Sequence, residues 1–198
     1  MLKLEPKRTA LVAIDLQKGI LGMSIAPHPA ATVVAHSTRL AEALTRAGGV
    51  VVRVHVGFSA DGADRLQQEV DQPMAGGPRP PDWMEFVPEV AGWKGALEIV
   101  KRQWGAFHGT ELDLQMRRRS LDTIVLTGVA TNFGVEQTAR EAWQLGYAVV
   151  VAEDAVSAIS EAAHRFAVET ILPRVARVRS TEAILAALAQ RGSPSPPR

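Results

Sequence analysis

Short runs of β-branched and aliphatic residues alternate along this chain with stretches of helical spacing. TALVAI at 9–14, VVVRVHV at 50–56, LEIV at 97–100, DTIVLTG at 122–128, YAVVVA at 147–152 and RVARV at 174–178 predict six strands. Several lack the polar alternation of a half-exposed strand, as expected where helices cover both faces of a parallel sheet. Segments 32–47, 110–119, 133–145 and 160–171 carry apolar residues at helical period, and 181–190 closes the domain. This βαβα alternation predicts an α/β fold: a doubly wound, Rossmann-like three-layer sandwich with a six-stranded parallel sheet and helices on both faces.

Local signals sharpen the boundaries. Thr110 opens TELD, a capping-box pattern in which Asp113 reaches back, and Ser180 is placed to cap the final helix. Gly48, Gly49 and Gly146 stand where helices should stop. Residues 57–95, which include DQPMAGGPRPPDW, break the rhythm, and so long a loop predicts a lid, a binding loop or an interface element. The chain reads as one domain over 1–190, with RGSPSPPR at 191–198 as a disordered tail.

Composition narrows the class. With 198 residues, 46% hydrophobic and 22% charged, the chain is large enough for a proper core. A net charge of +1 argues against nucleic-acid or anionic-membrane partners, and Arg117, Arg118 and Arg119 read as the solvated end of a helix. Cysteine is absent, which removes disulfides, thiolate metal sites and cysteine nucleophiles. MLKLEPKRTALVAID contains neither a signal-peptide core nor a membrane span, so the expectation is a soluble cytoplasmic protein.

Ligands of a doubly wound sheet bind beyond the carboxyl ends of its strands. There the first strand ends at Asp15, the third at Lys101 and the fourth at the turn GVATNFG. A carboxylate at the end of a buried strand is poorly solvated, which raises its pKa, while a nearby cation lowers it, and the balance suits proton transfer. Lys101, flanked by Ile99, Val100, Trp104 and Phe107, could hold Asp15 ionised or bind an anionic substrate. Gly134 in the turn would leave N–H groups open to a substrate oxygen. Each feature has an ordinary structural reading as well: a helix cap, a strand-end lysine, a tight turn.

Other candidates are weaker. His55 reads as a core or edge histidine, and His28, His36, His108 and His164 are scattered without metal-ligand spacing, so no metal is expected. No GxGxxG follows the first strand and no GxSxG elbow surrounds Ser59, Ser157 or Ser160, which argues against a nucleotide cofactor, an oxidoreductase and a serine hydrolase. The expected cofactor list is empty.

AIDLQKG, KRQWGAFHGTELD and TGVATNFGVEQTAREAWQLGYAVVVAEDA, in that order, resemble the isochorismatase-like hydrolase superfamily of isochorismatases, nicotinamidases and carbamoylsarcosine amidases. The resemblance implies that Asp15 and Lys101 are two members of the catalytic set and that Gly134 stands where most members carry the nucleophilic cysteine. It further implies an unusual cis peptide at Val129–Ala130, with the N–H groups of Ala130 and Gly134 facing an oxyanion. A glycine cannot form the thioester of the amidase branch. The isochorismatase branch resembles this chain in having glycine there and cleaves a vinyl ether by proton transfer. Its turn, however, carries Tyr and His where this chain has Ala130 and Asn132.

The expected activity is therefore small-molecule hydrolysis without a cysteine nucleophile, with Gln17, Trp104, Phe107, Ala130 and Asn132 binding substrate and 57–95 as a partial lid. The alternative is a metabolite-binding relative that has lost catalysis. Trp83, Met84, Phe86 and Trp93 suggest an interface, hence a homo-oligomer, dimer or tetramer, although packing onto their own subunit competes with that reading.

Overall fold

The computed structural model describes residues 2–73 and 79–190. Among these, six strands form one parallel sheet: β1 (Thr9–Ile14), β2 (Val50–Val56), β3 (Leu97–Lys101), β4 (Thr123–Val129), β5 (Ala148–Ser157) and β6 (Arg177–Arg179). Their order is β3-β2-β1-β4-β5-β6. The chain winds outward in one direction from β1 and then in the other from β4, so the switch point lies between these two strands. Every residue of β1 is buried, as its unbroken apolar run predicts for a central strand.

Helices α1 (Lys18–Leu21), α2 (Ala30–Arg46), α3 (Pro88–Ala91), α4 (Leu112–Arg118), α5 (Glu136–Gln144), α6 (Glu161–Phe166) and α7 (Thr181–Ala189) complete the layers. On one face Leu40, Ala41 and Leu44 of α2 join Ile184, Ala187 and Leu188 of α7 over Leu11, Val51, Val125 and Val150. On the other, Leu112, Met116, Ala139 and Ala142 from α4 and α5 pack over Val12, Ile14, Ile124 and Leu126. Residues 33, 37, 40, 41 and 44 of α2 are buried together because the helical period brings them to one stripe. None of the helices among the described residues is long and apolar enough to cross a membrane.

Several boundaries differ from the sequence reading. The fifth strand continues to Ser157 through a bulge, because Leu126 pairs with Val151 but Gly128 with Val156. Its polar Glu153 and Asp154 interrupt the apolar run, which is why the pattern stopped early. The sixth strand keeps only Arg177–Arg179. The helix expected from 133 begins as a π-turn over Thr131–Val135, and the one expected over 160–171 passes into another at Ala167–Ile171. Only half of the capping box at Thr110 forms: its hydroxyl accepts from the Leu112 N–H at 3.1 Å, but Asp113 instead accepts hydrogen bonds from Tyr147 Oη at 2.7 Å and Arg117 Nε at 3.2 Å. Ser180 does cap α7, accepting from the Ala183 N–H, and Gly48 and Gly146 take positive φ at the ends of α2 and α5.

Three aromatic residues of the long segment rest on their own chain. Trp83 covers Gly19 so closely that a Cβ there would lie 2.0 Å from the ring. Phe86 lies between Arg53 and His55, and Trp93 Nε1 donates to Thr38 Oγ1. Part of the apolar area of these three is thus covered within the subunit, but each stays partly exposed and Met84 keeps 38% exposure, so surface remains for an interface. The tail expected at 191–198 lies outside the described residues.

Candidate active site

Strand β1 ends where the backbone of Asp15 turns into the left-handed region, φ 53°, a conformation that Asp tolerates better than most side chains. Its N–H donates to Val54 O at 2.8 Å, which fixes the turn against β2. Lys101 is the last residue of β3, paired with Val56, so its side chain reaches across the end of β2. Lys101 Nζ lies 2.7 Å from Asp15 Oδ2 and also donates to Gln103 O at 3.1 Å. Both residues are buried, and the second carboxylate oxygen, Oδ1, is buried with no hydrogen-bond partner. Burial pushes the Asp15 pKa above the ordinary carboxyl value, and Lys101 only partly opposes it.

The turn after β4 faces the same carboxylate. A Cβ at Gly134 would lie 3.4 Å from Asp15 Oδ2, 3.4 Å from Trp104 O and 2.9 Å from Ile14 Cγ2. The Val129–Ala130 peptide bond is cis. Gly128, just before it, has φ 111°, and a Cβ there would collide with Ile14 O at 1.9 Å. Only glycine allows β4 to approach β1 this closely at the switch point.

Two further anchors hold the walls. Thr138 Oγ1 donates to Gly134 O at 2.6 Å and accepts from the Ala106 N–H, while Glu141 accepts from the Phe107 N–H at 2.9 Å. Gly105 lies so close to the Glu141 carboxylate that an added Cβ would sit 2.1 Å from it. Segment 104–107 is thereby docked onto α5, and Trp104, half-exposed, rests against Phe133 with centroids 4.7 Å apart.

The expected wall residues separate into two groups. Trp104, Ala130 and Asn132 surround the turn with partial exposure, and Asn132 Oδ1 is a buried acceptor with no partner. Gln17 and Phe107 do not line the cleft. Gln17 is fully buried, its amide nitrogen donating to Val56 O and Trp83 O and its oxygen accepting from the Val56 N–H, so it ties β2 to the long loop. Phe107 belongs to the core, against Tyr147.

The sequence reading missed the underside of the turn. Thr131 Oγ1 lies 2.9 Å from Nδ1 of the buried His164, whose ring meets that of His28 edge-on at 5.5 Å. Burial, then His28, holds the His164 pKa below its ordinary value, with Glu153 opposing. A groove of about 580 Å³ between Lys18, Val34, Thr38 and Val87 contains none of Asp15, Lys101 and Gly134. It is an open groove between helices, and its lining brings no convergent set of reactive groups together.

Comparisons with known proteins agree with this fold. Residues 9–183 match the family profile described as isochorismatase domain. The chain is 50% identical over 188 residues to the isochorismatase family protein YecD of Escherichia coli O157:H7, covering 95% of this chain and all of that one. It is 29% identical to the ureidoacrylate amidohydrolase RutB of Variovorax paradoxus, covering 82% of this chain and 73% of that protein. A solved structure of an isochorismatase family protein from Burkholderia thailandensis superposes with a TM-score of 0.90 at 43% identity, covering 94% and 97% of the two chains.

Proposed function

The chain belongs to the isochorismatase family of hydrolases, and from that premise we propose that it hydrolyses a small molecule without a cysteine nucleophile, using Asp15 as general acid and base. The observation that carries this reading is the asymmetric carboxyl of Asp15: Oδ2 is held by Lys101, while the buried Oδ1 has no partner. A carboxyl with a raised pKa can keep a proton and deliver it to a substrate atom at that free oxygen. Gly134 places no side chain between the turn and Asp15, whose Oδ2 a Cβ there would approach to 3.4 Å.

In the proposed cycle Asp15 gives its proton to the bond that is to break. Water then attacks the activated carbon, and the proton it sheds returns to the Asp15 carboxylate. Lys101 holds that carboxylate in place between the two transfers and stabilises its charge. The N–H groups of Ala130 and Gly134, with Asn132, would bind a substrate oxygen on which negative charge gathers. Because Asp15 is sealed in this conformation, substrate entry requires a wall to move, and the half-exposed Trp104 borders the site.

Turnover of a panel of vinyl ethers, amides, ureido compounds and carbamates, with Asp15→Asn as control, tests the reading. The RutB relative places ureido bonds in that panel. Activity abolished in a folded Asp15→Asn variant is the expected result, and activity that survives it overturns the mechanism. Thermal stabilisation by a panel member without turnover in the native chain would instead favour a metabolite-binding protein.

A further inference from the structure

We propose that His28, Glu153 and His164 form a mononuclear site for a divalent transition metal of the zinc class, on the underside of the turn that carries Gly134. The inference goes beyond the hydrolytic reading and does not depend on it. No two of the three candidate ligand atoms are more than 4.8 Å apart. His28 Nε2 lies 3.6 Å and His164 Nε2 3.7 Å from Glu153 Oε1. Ligand atoms about 2.1 Å from a tetrahedral metal stand about 3.4 Å apart, so each imidazole needs to close on the carboxylate by only a few tenths of an ångström and the two imidazoles on each other by at most about 1.4 Å.

The fold builds this arrangement from three separate elements. His28 is brought in by an antiparallel bridge in which Ala26 and Ala158 exchange N–H···O bonds of 2.8 and 2.9 Å, and its own N–H donates to Ser157 Oγ. Glu153 is on the bulge of β5, where the register shift re-aims side chains. The neighbouring Asp154 has a different task, accepting from the Thr181 N–H and hydroxyl at 2.7 Å. His164 comes from α6 and is 4% exposed.

The hydrogen bonds around the cluster suit a metal. In the tautomer whose Nδ1–H donates to Thr131 Oγ1, the Nε2 of His164 presents a lone pair toward the carboxylate. His28 Nε2 is buried with no partner of its own. A carboxylate oxygen and imidazole nitrogens then converge without a donor between them, an arrangement that a divalent cation satisfies. Two imidazoles and one carboxylate are a common ligand set of zinc and of non-haem iron, and solvent would complete the shell. Thr131 is the outer partner that orients the metal-binding imidazole. A metal held here would fix His164 and, through Thr131, the π-turn that faces Asp15.

Chelator-treated, tag-free protein titrated with Zn²⁺ in a calorimeter tests the proposal. One equivalent should bind and raise Tm, excess Mg²⁺ should not displace it, and Co²⁺ should give a visible ligand-field spectrum. His28→Ala and Glu153→Gln, both at partly exposed positions, should each weaken binding at least ten-fold, and Thr131→Val about ten-fold through loss of the outer hydrogen bond. Absence of saturable binding overturns the site, as does Zn²⁺ affinity unchanged in His28→Ala and Glu153→Gln, which would assign the metal to other surface histidines. A folded His164→Ala variant that still gives the Co²⁺ spectrum would overturn it as well.

Discussion

Returning a thiol to the turn is the sharpest test of where it points. Gly134 is not among the glycines with positive φ, so no left-handed backbone opposes Gly134→Cys. The new Cβ would sit 2.9 Å from Ile14 Cγ2, and that methyl must yield by a few tenths of an ångström. Such overpacking against the buried Ile14 costs about 1–3 kcal/mol, a Tm loss of about 2–12 °C for a chain of this size. The sulfur would lie at the start of α5, beside Asp15, whose burial makes its carboxylate a better base than an exposed one. Lowering a thiol pKa from about 8.5 by about one unit raises the thiolate fraction at pH 7 about eight-fold, and the accompanying loss of nucleophilicity takes back a factor of about three. Iodoacetamide should therefore alkylate Gly134→Cys about threefold faster than a control cysteine at the exposed Glu42 position. Mass spectrometry reads the rate cleanly because the native chain has no cysteine. Adding Asp15→Asn should slow the reaction. A well-folded variant whose thiol reacts no faster than the control would refute the claim that this turn faces a working site.

Further expectations concern the buried pair, the switch point and assembly. If Asp15 delivers a proton, kcat/KM should fall as pH rises through its raised pKa; the raised value also means that stability declines as pH climbs past the ordinary carboxyl range, and urea titrations with and without Asp15→Asn should show that decline disappear. Lys101→Met should cost about 3–5 kcal/mol by leaving a buried carboxylate unpaired, with the Lys101→Met/Asp15→Asn double variant costing well under the sum of the singles; additive losses in denaturant melts would mean that the two are not coupled. Gly128→Ala should lower stability by at least about 3 kcal/mol, because the Cβ meets backbone as well as an unfavourable φ; a melt within 2 °C of the native chain would contradict the close approach of β4 and β1. Light scattering should report a homo-oligomer at micromolar concentration, and a monomer throughout would refute the expectation drawn from the aromatic segment.

Much of the fold and part of the candidate site were legible because the relevant signals are local. An uninterrupted apolar run that stops at Asp15, another that stops at Lys101 and a third that runs into GVATNFG mark buried parallel strands and their carboxyl ends. The sheet then places the ends of β1 and β4 side by side, with that of β3 beyond the intervening β2. What stayed hidden depends on partners distant in sequence. Gln17 adjoins Asp15 and looked equally available, yet its amide is used by Val56 and Trp83. Phe107 follows Trp104 in one motif, but docking onto α5 turns the first into the core and leaves the second at the surface. His28 and His164 looked scattered because neither the Ala26–Ala158 bridge nor the bulge at Glu153 has a signature at short range. The polar pair Glu153 and Asp154, interrupting an otherwise apolar strand, was the one available hint.

The distribution of supports explains why a glycine at 134 is compatible with an otherwise intact site. Asp15 is oriented by its own left-handed backbone, by Val54 and by Lys101, none of which touches the turn's missing side chain. The turn is held from below by Thr138 on Gly134 O and by His164 on Thr131, again through groups other than a side chain at 134. Loss or gain of a nucleophile there thus changes the volume and chemistry beside the carboxyl without changing what aims it. Proton transfer is the part of the machinery that the scaffold fixes independently, and in the proposed mechanism it is the part on which hydrolysis rests. In that mechanism discrimination among substrates would fall to the groups that border the turn, Trp104 from the third strand's end and Asn132, whose unpaired Oδ1 is an acceptor that a substrate N–H or O–H would satisfy.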